Sequence, residues 1–288
     1  MCHATSGYMS TCNATNSPQV LRLDVDSDSD YPRAWVYEND LTEYVALGDS
    51  FSAGEGVPDF SVPSDTNGCH RSLHAYPIQL SEIVGSLRLA AFRACSGATT
   101  EDIQVGMNGE PGQLDALSTN TDIVTMSAGG NDVKFREFAT ECVVGTCDSA
   151  SSQYQDTMDL IDTLLPGNLE DLYDDIRLAA PNADVYVVGY PDESPDTSVD
   201  CTFLSNGEKV AVSTVAVELK NTILAAVEGA DEGFYYVDPL DAESPFWGHE
   251  LCTEDPYFNH ASIPLVYSFH PNIYGQEAYA VLVEASLS

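Results

Sequence analysis

Five short apolar runs punctuate the chain: Tyr44–Leu47, Leu89–Ala94, Ile123–Ser127, Val185–Gly189 and Phe234–Val237, rich in Val, Ile, Tyr and Phe. Each has the length of a strand buried on both faces. Ala75–Val84, Gln153–Leu165, Leu169–Ala179, Val210–Val227 and Ile273–Leu287 read as helices. Pro166-Gly167 divides what would otherwise be one long helix. Strands alternating with helices predict a three-layer αβα sandwich around a central parallel five-stranded sheet. In such a sheet ligands bind beyond the carboxyl ends of the strands. The residues just past each run are therefore the first candidates for chemistry.

Residues 1–42 break the alternation. They are rich in Ser, Thr, Asn and Asp, and Val20–Leu23 and Ala34–Tyr37 read as the two strands of a short hairpin. The acidic run Asp24, Asp26, Asp28, Asp30 between them is not an EF-hand. Tyr31 stands where the loop needs glycine, and Tyr37 where it needs a bidentate glutamate. This segment is expected to be an extension, with residues 43–288 forming the main domain.

Charge narrows the partners. The chain holds 46 acidic and 10 basic residues, a net charge of -36, which repels phosphate backbones and argues against nucleic acid. Only Lys134, Lys209 and Lys220 are lysines. Self-repulsion of this size is relieved by screening, so a halophilic habit is an expectation of the composition. No window approaches eighteen uninterrupted apolar residues. The eight cysteines lack C-x-x-C or zinc-ligand spacing. They read as disulfides of a secreted, extracellular protein, with connectivity open and no metal or organic cofactor implied. The N-terminus shows no signal-peptide pattern.

Three strand ends and one late loop carry the chemistry. Gly48-Asp49-Ser50 follows the first run and sets a serine at the sheet edge. Alone it is a weak signal, and it is not the G-x-S-x-G elbow. Ser96-Gly97-Ala98 follows the second, where Gly97 can present its N–H to a developing negative charge. Thr99 or Thr100 there also suits a helix cap, with Glu101 and Asp102 in the first turn. Gly129-Gly130-Asn131-Asp132 follows the third, and His270 lies in Tyr267-Ser268-Phe269-His270-Pro271-Asn272 before the last helix. His3, His70, His74, His249 and His260 read as surface or structural histidines.

In this order the four blocks resemble the SGNH (GDSL) hydrolase superfamily over Tyr44 to Leu287. The resemblance implies a flavodoxin-like fold and a serine esterase. Ser50 would be the nucleophile and His270 the base, with the N–H groups of Ser50 and Gly97 and the Asn131 side chain as oxyanion hole. Many members carry Asp three residues before the histidine, where this chain has Tyr267. The pattern is instead similar to a secreted branch of esterases, lipases and phospholipases A1, in which a main-chain carbonyl replaces the acid. Ser268 would supply it, giving a Ser–His dyad. The same branch implies bridges Cys69–Cys95, Cys142–Cys147 and Cys201–Cys252, leaving Cys2 and Cys12 over. The expected protein is a monomeric hydrolase of short- or medium-chain esters, without stable membrane insertion. Lipase or phospholipase A1 activity, or a carbohydrate-binding protein on an inactive fold, are the alternatives, so the substrate is a small-molecule, lipid or polysaccharide ester.

Overall fold

The computed structural model describes residues 41–260 and 265–287; the hairpin read in residues 20–37 and a Cys2–Cys12 bridge lie outside them. Five strands, β1 (Thr42–Ala46), β2 (Leu87–Phe92), β3 (Ile123–Met126), β4 (Asp184–Val188) and β5 (Phe234–Val237), form one all-parallel sheet in the order β2-β1-β3-β4-β5. Tyr44, Val45 and Ala46 are fully buried because β1 is central and covered on both faces. The chain steps from β1 outward in opposite directions, to β2 and then back to β3, which makes the carboxyl end of β1 the topological switch point.

Nine α-helices are found among the described residues: α1 (Ser50–Ala53), α2 (Val62–Asn67), α3 (Tyr76–Ile83), α4 (Thr100–Val105), α5 (Phe135–Val144), α6 (Ser152–Thr163), α7 (Leu165–Ala179), α8 (Asn206–Gly229) and α9 (Ile273–Ser286). The predicted break at Pro166-Gly167 falls two residues earlier. Leu164 separates α6 from α7, and Pro166 sits in the first turn of α7, where its missing N–H costs nothing. The second strand also begins and ends two residues before the apolar run, since Leu87 packs inward while Arg93 and Ala94 continue past the sheet. Thr99 and Asp102 form a capping box on α4, and Ser205 and Glu208 one on α8. By length and composition α8 is apolar enough to cross a membrane. Its Val215, Leu219 and Ile223 are instead buried where it packs on α6, α7 and β5, the face of a core helix.

The three bridges implied by the resemblance are present: Cys69–Cys95, Cys142–Cys147 and Cys201–Cys252. Each such bridge typically contributes about 2–4 kcal/mol. The first ties the residues after α2 to the end of the β2 segment, one residue before the loop that carries Gly97.

Candidate active site

Leu47-Gly48-Asp49 carries the chain over the sheet edge into α1, a single turn that Ser50 opens. Asp49 caps this turn. Its Oδ1 accepts from Phe51 N–H at 3.0 Å and from Ser127 Oγ at 2.6 Å, and its Oδ2 accepts from the Tyr190 hydroxyl at 2.5 Å. Burial pushes the carboxyl up to about 6, against the pull of those three donors. The Tyr190 oxygen also accepts from Gly130 N–H at 3.1 Å. One phenol thus couples the Gly-Asp-Ser block to the Gly-Gly-Asn-Asp block. Gln113 clamps Gly48 from the other side, accepting from its N–H at 2.7 Å and donating to its carbonyl at 2.9 Å.

His270 comes from the far end of the chain, and its Nε2 lies 2.8 Å from Ser50 Oγ. The preceding residue, Phe269, sits at φ 67°, a region uncommon for a bulky side chain. Reciprocal backbone bonds hold it there: Phe269 N–H donates to the Asn259 carbonyl and Asn259 N–H to the His270 carbonyl, both at 3.0 Å. Asn259 Nδ2 also donates to the Gly56 carbonyl at 2.7 Å. A Cβ on Gly56 would lie 2.3 Å from the Pro271 carbonyl oxygen. Only glycine lets the histidine loop close this tightly on the serine loop.

Burial, and then the nearby Arg136 cation, depress the imidazole to about 4, while the backbone of Ser268 and of Val266 pulls the other way. The ring is neutral at pH 7 and Nε2 can take the Ser50 proton. Its Nδ1 is buried, and no described group meets it in full hydrogen-bonding geometry. The backbone of Ser268, and then that of Val266, favours the charged ring.

Gly97 adopts φ 82°, open to glycine without strain, and a Cβ there would meet nothing within 4 Å. Among the described residues neither its N–H nor that of Ser50 has a protein acceptor. Asn131 Nδ2 spends one hydrogen on the Ala98 carbonyl at 2.9 Å, which fixes the amide and leaves its second N–H available. Asp132 locks this region, accepting from Thr100 N–H at 3.0 Å, Thr100 Oγ1 at 2.5 Å and Asn168 Nδ2 at 3.0 Å.

Ser50, Gly97, Asn131, Ser268 and His270 line one cleft of about 240 Å³. Phe135, Ala139, Val266 and Phe269 give it an apolar wall, and Arg136 and Glu193 are its charged-residue lining besides Asp49. None of the other described histidines lines it. His70 Nδ1 meets both oxygens of buried Glu55 at 2.9 and 2.8 Å, His74 lies 3.3 Å from Asp59, and His249 stacks on Tyr257. Sequence reasoning missed Asp49, Gln113 and Tyr190. Of these Tyr190 was reachable, because it lies two residues past β4, at a strand end like the other three.

A serine hydrogen-bonded to a neutral imidazole at the switch point of a parallel sheet, beside unpaired N–H donors, defines a serine hydrolase. Residues 46–278 match the GDSL-like lipase/acylhydrolase family, and the chain belongs to that family. Lipase 1 of Streptomyces coelicolor is 36% identical over 234 residues, covering 81% of this chain and 82% of that protein. The crystal structure of the extracellular lipase of Streptomyces rimosus superposes with a TM-score of 0.74 at 29% identity, over 85% of this chain and 100% of that one. Phospholipase A1 of Streptomyces albidoflavus gives 0.74 at 30% identity, over 86% and 100%. The protein is a secreted serine ester hydrolase, and its three disulfides suit an oxidising compartment.

Proposed function

We propose that Ser50 attacks the carbonyl of a short- or medium-chain carboxylic ester while His270 takes its proton. The observation that carries this reading is the 2.8 Å contact between His270 Nε2 and Ser50 Oγ inside a cleft of only about 240 Å³, small beside typical ligand pockets of about 300–1,000 Å³. The Ser50 and Gly97 N–H groups and the second Asn131 N–H stabilise the oxyanion. His270 then protonates the leaving alcohol, and water repeats the sequence on the acyl-enzyme. The main-chain carbonyl of Ser268 orients the imidazole in place of a carboxylate, supported by the upward pull of that backbone on the ring. A carbonyl fixes the tautomer without a full countercharge, so this is a dyad rather than a triad. The family match, beginning at residue 46, supports residues 43–288 as the catalytic domain and residues 1–42 as an extension.

A second reading, hydrolysis of lipid esters, is favoured by the lipase and phospholipase names of the relatives and by the apolar wall of Phe135, Ala139, Val266 and Phe269. Hydrolysis of p-nitrophenyl esters from acetate to palmitate, with Ser50→Ala as control, tests both. An optimum at short or medium chains supports the first reading and one at palmitate the second. Turnover that survives Ser50→Ala refutes the mechanism.

A further inference from the structure

A cleft built only to hold a neutral ester has no use for an unpaired guanidinium. In this chain basic residues are scarce, 10 against 46 acidic ones, and most of the described ones are engaged. Arg71 pairs with Glu110, Arg88 with Glu43 and Lys220 with Asp238. Arg177 donates to the Ala180, Ala183 and Glu232 carbonyls, and Lys209 to the Val199 carbonyl. Arg93, Lys134 and Arg136 hold no ion pair among the described residues, and of these only Arg136 lines the cleft with Ser50 and His270.

Arg136 is exposed there, and its cation also acts on buried Glu55. Its charge opposes protonation of His270, the state the base must reach during acyl transfer. A bound anion would neutralise that effect. Two further features fit the same ligand. The first turn of α5, where Arg136 sits, has no side-chain cap from Lys134, and the Arg136 N–H has no acceptor among the described residues, so the positive end of a ten-residue helix faces the cleft rim. Glu193 lines the same cleft at only 4% exposure, and its carboxyl makes no hydrogen bond among the described residues. A buried carboxyl without a partner is costly, and a ligand can satisfy it. Burial, and then neighbouring Asp192, push Glu193 well above the usual carboxylate range. That environment disfavours the negative charge that would repel an anion.

We propose that the cleft recognises esters bearing an anionic group, a carboxylate or a phosphate, close to the scissile carbonyl, with Arg136 as the anchor. This rests on Ser50 and His270 being the reacting pair. The overall charge of -36 disfavours every anionic ligand, so selectivity comes from this local cation and not from the protein's field.

The test compares mono-p-nitrophenyl glutarate with uncharged p-nitrophenyl pentanoate at fixed ionic strength. A charge-assisted bond at a partly exposed site corresponds to about a tenfold preference in kcat/KM for the anionic ester. Arg136→Gln abolishes that preference and Arg136→Lys keeps part of it. On the neutral ester Arg136→Gln moves the acid limb of the pH profile upward, because the cation no longer opposes His270 protonation, a shift that a merely structural arginine would not produce. Inorganic phosphate inhibiting the wild type more strongly than acetate assigns the site to phosphate, and the reverse assigns it to carboxylate. An unchanged ester preference in Arg136→Gln, or an equal loss on both esters, overturns the proposal. Ser50→Ala abolishing turnover of both esters tests the underlying mechanism separately.

Discussion

Tyr190→Phe probes the joint that holds the site together. Phenylalanine keeps the edge-on ring contact with Phe51, 5.1 Å between centroids, and the packing over Gly130. What it removes is the hydroxyl that donates to Asp49 Oδ2 at 2.5 Å and accepts from Gly130 N–H at 3.1 Å. A hydrogen bond to a charged group contributes about 1.5–3 kcal/mol net, and a buried N–H left without a partner costs about 1–3 kcal/mol. Summed and partly relieved by local relaxation, the loss at pH 7 is about 3 kcal/mol. The pH dependence has a definite sign. Asp49 is already raised to about 6 by burial, and losing a donor raises it further. The folded variant then takes up a proton that the unfolded chain, with its carboxyl near 3.8, does not bind. The variant therefore recovers stability as pH falls from 7 to 5, and only the pH-independent Gly130 share of the deficit remains. Urea denaturation at both pH values measures this. A deficit below about 0.5 kcal/mol at pH 7, or one that fails to shrink at pH 5, refutes the network as described.

Removing the Asn131 amide with Asn131→Ala lowers kcat by about 100- to 1000-fold, with little change in KM, whereas a tenfold or smaller fall excludes it from the oxyanion hole. The acid limb of kcat/KM for a neutral ester lies nearer pH 4 than 6.5, since burial and Arg136 keep the His270 ring neutral to about 4; a limb near 6.5 contradicts that environment. The same depression costs stability as pH falls from 6.5 towards 4, where the unfolded ring binds a proton that the folded one refuses. Screening of the -36 charge raises the melting temperature between about 0.1 M and about 3 M KCl, and an unchanged value removes the argument for salt adaptation.

The sheet was legible in the sequence because parallel strands buried on both faces leave short continuous apolar runs, and Phe234–Val237 coincides with β5 residue for residue. Three of the four candidate blocks were legible because each sits just past a strand, and the fourth because His270 lies just before the last helix. The short helices were less so. Four residues of α1 are too few to show a period, and Pro166 looked like a boundary when its place is the first turn of α7. Gln113, Arg136 and Glu193 escaped for a different reason, and Tyr190 showed in the sequence only as a strand-end residue. Their roles depend on partners that only the tertiary structure brings near, 141 positions away for Tyr190 and Asp49, and no local pattern encodes such a pairing.

The central claim is that Ser50 carries the acyl group. Intact-mass and peptide analysis after rapid acid quench of turnover with p-nitrophenyl butyrate tests it directly. A single butyryl adduct on the Ser50 peptide, absent from Ser50→Ala, is the predicted result. An adduct on another residue, or turnover with no covalent adduct under conditions where deacylation is slowed, would contradict it.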